Sequence, residues 1–241
     1  MSWHALEEEL ARARDAGRSA TLWWRDDDAA QPTREVKRLL ALSRAADIPV
    51  ALAVVPLAAV PELFADLTAC VLMHGTDHRN RAAAGEKKTE FPAAEADVEA
   101  LRRLRQARER LAMLAGAAFL PVLAPPWNRI RRSLVPRLPG LGLHGLSGFG
   151  DRGEKVPGVV EINTHVDIID WHGTRAFIGE EPALRGLISH IVANTGEPIG
   201  VLTHHAVHDE AAWTFLARLY ERTRRHGARW AEARSLFPAS G

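Results

Sequence analysis

Cysteine is nearly absent from this chain. Cys70 stands alone, which excludes an internal disulfide and any zinc cluster built on cysteine. No run of eighteen apolar residues occurs, so no segment reads as a bilayer-spanning helix. Neither sign of charge dominates: 31 Lys and Arg meet 30 Asp and Glu, a formal balance of +1. That balance argues against a protein devoted to gripping nucleic acid or an acidic membrane. No GxGxxG or GxxxxGKS phosphate loop is present, which weakens a nucleotide-binding reading. The stretch Trp3 to Arg18, WHALEEELARARDAGR, has no apolar core before a small-residue cleavage site. It does not read as a secretory signal, and the expected location is the cytoplasm.

What is present is ordinary globular composition, 46% apolar and 25% charged over 241 residues. At about 150 residues per domain this is one large domain or two small ones. With no linker and no internal repeat, a single domain over 1–241 is expected. Apolar runs alternate with amphipathic ones. Ala20 to Trp24, Ile48 to Val55, Thr68 to Met73, Phe119 to Ala124, Val159 to Val166 and Ile199 to Thr203 read as strands. Thr33 to Ala46, Ala58 to Leu67, Glu95 to Ala115, Pro182 to Asn194 and Asp209 to His226 read as helices. In Glu95 to Ala115 the expected buried stripe is Val98, Leu101, Leu104, Arg108, Leu111 and Leu114. Shorter helices are expected over Arg129 to Leu138 and Trp230 to Leu236. Gly140 to Gly158 reads as irregular, with one short strand near Leu143 to Ser147. Strand–helix alternation predicts an α/β fold, a parallel sheet with helices outside, closed as a barrel or open.

In such folds chemistry sits just past the carboxyl ends of strands. Five strand ends here run into polar groups: Arg25-Asp26-Asp27-Asp28, His74-Gly75-Thr76-Asp77-His78-Arg79-Asn80, Pro125-Pro126-Trp127-Asn128-Arg129, Asp167-Ile168-Ile169-Asp170-Trp171-His172 and His204-His205. Each has a bland alternative. Three adjacent aspartates are commonly a solvated turn, lone histidines commonly bond to backbone, and Trp127 and Trp171 would ordinarily be core residues. Co-location shifts the odds. The four-residue spacing of His74 and His78 would put two imidazoles on one side of a helical turn, suited to capturing a metal. Two histidines and a carboxylate leave open positions on zinc or a similar ion.

In this order the motifs resemble the polysaccharide deacetylase family, metal-dependent carbohydrate esterases with a distorted (β/α) barrel. The resemblance runs from about Thr21 to Asp209. It implies Asp27 as catalytic base and Asp28 as metal ligand, with Asp26-Asp27 as the alternative register. It implies His74 and His78 as the other ligands, His204 of Leu202-Thr203-His204 as the proton donor, and one divalent ion, zinc foremost. Asp170 is the candidate carboxylate beside His204, and Trp127, Trp171, Asp170 and Asn80 are candidate substrate contacts. The family's third-motif arginine, which orients the base, is missing from Ala124-Pro125-Pro126-Trp127; Arg25 or Arg129 is the expected substitute. His205 and His204 are interchangeable at this stage, since alternation along a strand sends only one inward. His144, His165, His172 and His208 are likewise unsorted. Arg79 to Phe91, unlike the family, is expected as a mobile basic loop.

The implied function is hydrolytic removal of an N-acetyl or similar acyl group from a carbohydrate or small acylated amine, with neither nucleic acid nor membrane as partner and the oligomeric state open. Hydrolysis of another carbon–nitrogen bond, such as a cyclic imide, keeps the same machinery. A non-catalytic sugar-binding relative is the third reading. A nucleic-acid module would rest only on Arg102, Arg103, Arg105, Arg108 and Arg110, which are interleaved with Glu95, Asp97, Glu99 and Glu109 as on a solvated helix face.

Overall fold

A computed structural model describes residues 1–238; the last three residues of the domain expected over 1–241 lie outside the described residues. The elements in chain order are α1 (Trp3–Asp15), β1 (Thr21–Ala29), α2 (Arg34–Ala46), β2 (Val50–Val54), β3 (Cys70–His74), α3 (Asp97–Ala115), β4 (Phe119–Ala124), β5 (Gly145–Leu146), β6 (Val160–Glu161), β7 (Val166–Asp167), α4 (Glu180–Ala193), β8 (Ile199–Thr203), α5 (Glu210–Arg225), β9 (Arg229–Trp230) and α6 (Ala233–Leu236). No described helix is long and apolar enough to cross a membrane. The chain forms two compact units, and the boundary between them cuts β1 between Asp27 and Asp28.

The first unit comprises Met1–Asp27, Thr33–Val50 and Thr164–Ala233. Its strands are all parallel: β7 pairs β8, β8 pairs β1, and β1 pairs β9. The register of β1 on β8 sets Leu22 against Ile199 and Asp26 against Thr203. It therefore delivers Asp27 and His204 side by side at the next step of the two strands. Trp23 and Trp24 are fully buried on β1, with Trp24 against the Tyr220 ring of α5. The helices form where their caps predict. Thr33 accepts the Val36 N–H ahead of α2, and Asp209 accepts the Ala212 N–H ahead of α5. Gly227, with φ +85°, follows the end of α5, taking a conformation that costs glycine little.

The second unit comprises Asp28–Pro32, Ala51–Asn163 and the C-terminal residues from Arg234. It too is parallel, β2 on β3, β3 on β4, β4 on β5 and β5 on β6. The β3–β4 register shifts between Val71 and Met73 and ends with His74 opposite Ala124. Helix α3 buries Leu104 and Leu111 of the expected stripe together with Ala100 and Ala107, while Leu101, Arg108 and Leu114 are half-buried. Val98 is 69% exposed. The alanines hold the buried edge because they allow close approach, a signal that large-residue periodicity overlooks.

Other differences have local causes. Strand β1 extends through the three aspartates instead of stopping at Trp24, because each carboxylate finds partners there. The helix expected over Ala58 to Leu67 is only a 3₁₀ turn at Pro61–Phe64, as Pro61 lacks the N–H that would continue a longer run. The strand expected over Val159 to Val166 is two short ones, β6 and β7. Between them the Asn163 side chain accepts the Gly148 N–H and donates to the carbonyls of Gly150 and Asp151. Trp230 joins β9, leaving only Ala233–Leu236 helical of the expected terminal helix.

Candidate active site

The donor set lies in the second unit. Asp28 Oδ1 is 3.1 Å from His74 Nε2 and 3.1 Å from His78 Nε2. One ligand atom from each residue lies within 4.8 Å of the others. Bonds of about 2.0–2.2 Å to a tetrahedral ion would place donor atoms roughly 3.3 Å apart, so the residues present fit a divalent cation. His74 Nδ1 is 2.9 Å from the Ala124 carbonyl oxygen. As donor to that oxygen, Nδ1 carries the proton and leaves the Nε2 lone pair for coordination. The β3–β4 register supplies this bond, since it places Ala124 opposite His74. Asp28 and His78 both hold left-handed backbone, φ 73° and 56°. Such geometry in non-glycine residues is uncommon and clusters at functional sites.

The two histidines do not sit on a helical turn, which corrects the sequence expectation. His74 ends β3, and His78 is carried by a loop. Within that loop the Glu90 carboxylate accepts the N–H groups of Thr76 and Asp77 at 3.0–3.1 Å. Burial pushes the Glu90 pKa up, with Asp77 adding to the effect. Arg81 holds Asp77 below the ordinary carboxylate range. The segment from Arg79 to Lys88 is exposed or half-buried, and it ends in Glu90 and Phe91, both buried. Asn80 is exposed, and its side-chain oxygen closes this segment by accepting the Ala82 and Thr89 N–H groups. Trp127 is half-buried and lays its ring on His78 at 4.6 Å, from a turn in which Trp127 and Asn128 both have positive φ.

The first unit holds the other polar groups. Arg25 grips Asp27 in a bidentate pair, Nε to Oδ1 at 2.8 Å and Nη2 to Oδ2 at 3.0 Å, with the side chains 0% and 2% exposed. Arg129, the other expected substitute, is exposed and donates to the Lys88 carbonyl. His204 Nε2 lies 4.0 Å from Asp27 Oδ2, and its Nδ1 lies 3.9 Å from Asp167 Oδ1. The Trp171 ring stands edge-on to His204 at 4.6 Å, and Trp171 Nε1 donates to Asp167 Oδ2 at 2.8 Å. Burial raises the Asp167 pKa, opposed by the charge of His204.

Asp167, not Asp170, is thus the carboxylate beside His204. The register that sets Asp167 against Leu202 on β8 puts it there. The Asp170 oxygens instead accept the backbone N–H groups of His172, Gly173 and Thr174, capping a turn.

Asp26 and His205 form a separate buried pair. Asp26 accepts the Thr203 hydroxyl at 2.6 Å and the His205 N–H at 3.0 Å, and His205 Nδ1 lies 2.5 Å from Asp26 Oδ1. Burial pushes the Asp26 pKa up, but His205 and Thr203 more than offset it and leave it below the ordinary value. The three consecutive aspartates therefore have three sets of partners: His205 and Thr203, Arg25, and the two imidazoles.

No family model matches the chain, and no curated protein matches it. Solved structures do. A family 4 carbohydrate esterase from Streptomyces lividans, in complex with acetate, is 15% identical with TM-score 0.58, over 87% of this chain and 91% of that one. A Mycobacterium smegmatis protein described as a polysaccharide deacetylase is 15% identical with TM-score 0.70, over 91% and 89%. The chitin deacetylase of the fungal pathogen Colletotrichum lindemuthianum is 16% identical with TM-score 0.57, over 91% and 88%. The fold is that of the polysaccharide deacetylases.

The polysaccharide-deacetylase fold is a distorted (β/α) barrel with parallel strands. Within the second unit a cavity of about 500 Å³ adds a further feature. Lys87, Asn128, Arg129, Phe149, Glu161 and Asn163 are among its lining, and its volume lies in the range of small-molecule sites. Its wall at Asn128 is one residue from the tryptophan that packs on His78. Two placements have little or no signal in the sequence: Asp167 beside His204, and Glu90 against the His74–His78 loop. Asp167 was visible as the first acid of Asp-Ile-Ile-Asp-Trp, but nothing in the spacing ranked it above Asp170. Glu90 carries no signal in the sequence, being one acid in a basic stretch.

Proposed function

We propose that this protein is a metal-dependent hydrolase that removes an N-acetyl or similar acyl group from a carbohydrate or small acylated amine. The observation that carries the reading is the convergence of Asp28, His74 and His78 in a chain with the polysaccharide-deacetylase fold. These three residues would hold a divalent cation, zinc foremost, as one carboxylate and two imidazoles suit it and leave open positions. When bound, the ion supplies Lewis acidity, which brings the pKa of an adjacent water toward neutrality and polarises the acyl carbonyl.

Asp27, next to Asp28 in the chain, takes the proton from the attacking water. Arg25 fixes the orientation of that carboxylate through both oxygens, the task of the arginine missing from the third motif. The carbon–oxygen bond forms, the carbon–nitrogen bond breaks, and His204 gives its Nε2 proton to the departing amine. Asp167, held by Trp171 and the Ile169 N–H, lies 3.9 Å from the other ring nitrogen of His204. The products are the free amine and acetate. Trp127, whose ring lies 4.6 Å from that of His78, would exclude bulkier acyl groups.

Metal analysis of the purified protein, followed by acetate release from a panel of small N-acetylated sugars, tests the proposal. Parent protein should carry one divalent ion per chain and release acetate, and His78→Ala should lose both. If His78→Ala binds zinc as tightly as the parent and stays active, the assignment is wrong.

A further inference from the structure

Glu90 is fully buried and lies in a segment that supplies no candidate ligand. Its carboxylate nonetheless faces the backbone between the two candidate histidine ligands. Oε1 accepts the N–H of Thr76 at 3.1 Å and that of Asp77 at 3.0 Å, and Oε2 shares the Thr76 N–H at 3.0 Å. The Thr76 hydroxyl also donates to Oε1. Arg103 Nη1 lies 3.6 Å from Oε1 and donates to the Thr76 hydroxyl at 3.1 Å, while Arg81 Nη1 lies 3.5 Å from Oε1. Residue 75 is glycine with φ +59°, and a Cβ there would overlap Oε2. The carboxylate therefore occupies the space on which this loop closes.

We infer that Glu90 is a positioning residue for the metal centre, which braces the His74–His78 loop so that both imidazoles reach one cation. The physical reason is accounting of donors. Two N–H groups in the loop, that of Thr76 buried and that of Asp77 part-buried, have this carboxylate as acceptor, and without it they must turn toward water or another partner. Turning them moves His78, which sits one residue past Asp77 in strained left-handed backbone. Residues that orient metal ligands from outside the coordination sphere typically contribute about 10–100-fold to metal affinity. The inference rests on the metal-centre reading proposed above, and its test separates the two.

The test is titration of Co²⁺ into metal-free parent, Glu90→Gln, Glu90→Ala and His78→Ala, reading affinity and the visible d–d band, with thermal melts alongside. Parent should bind, and His78→Ala should not. Glu90→Ala should bind about 10–100-fold more weakly with an altered band. Glu90→Gln keeps one acceptor oxygen and should fall between the two. If Glu90→Ala fails to fold, Glu90→Gln decides. Variants that melt earlier yet bind Co²⁺ within twofold of parent, with an unchanged band, overturn the inference and leave the metal centre standing. A parent that binds no Co²⁺ overturns both.

Discussion

His208 offers a prediction that needs neither metal nor substrate. It is half-buried in the first unit, with its ring edge-on to Trp213 at 4.5 Å. Neither ring nitrogen has a hydrogen-bond partner among the described residues. Burial depresses its pKa from 6.5 to about 4; Asp26 and Asp209 oppose the shift, and His205 and His204 add to it. A depressed histidine takes up its proton more readily in the unfolded chain. Stability is therefore unaffected by this group above about pH 6.5 and is lost progressively as pH falls toward 4. The gap between the two pKa values corresponds to roughly 3 kcal/mol, an upper figure because the ring keeps some contact with solvent. The perturbation is His208→Leu, which retains an apolar side chain and removes both unsatisfied nitrogens. Urea unfolding of parent and variant at matched pH values between 7 and 4 isolates the histidine from every other titrating group. The difference in stability should swing toward the variant by about 2–3 kcal/mol across that range. A constant difference from pH 7 to 4 would refute the reasoning, since the imidazole would then titrate alike in both states.

Two further predictions concern the groups around Asp27. Arg25→Met leaves a buried carboxylate without its guanidinium and should cost about 3–5 kcal/mol, read by thermal or urea unfolding; a loss below about 1 kcal/mol would show that the pair is not buried as described. Asp167→Asn preserves an acceptor for Trp171 but removes the charge facing His204 Nδ1. It should lower kcat with KM little changed, and equal kcat in variant and parent on any substrate found would remove Asp167 from the proposed mechanism.

Much of the framework could be read from the order of residues. Phe119–Ala124 and Ile199–Thr203 appear as strands with the boundaries expected, because continuous apolar runs between polar turns have few other uses. Helices α2 and α5 begin at Thr33 and Asp209, whose side chains carry their own capping chemistry. The spacing of His74 and His78, and the collection of acids and imidazoles at strand ends, likewise need only local sequence.

Roles within those clusters are another matter, because they depend on which strand lies beside which, and in what register. Asp26, Asp27 and Asp28 are chemically alike and adjacent, yet pairing of β1 with β8 gives Asp26 to Thr203 and His205 and sets Asp27 beside His204. The same logic sets Asp167, not Asp170, beside His204 through its neighbour Leu202, while Arg25 finds its buried partner only two residues away. A carboxylate at position 90 reaches a loop at position 76 only when the chain has folded back on itself. Local patterns specify elements because propensity and periodicity act over a few residues; the partners of a buried charge are chosen by long-range packing, which the linear order does not encode in any readable form.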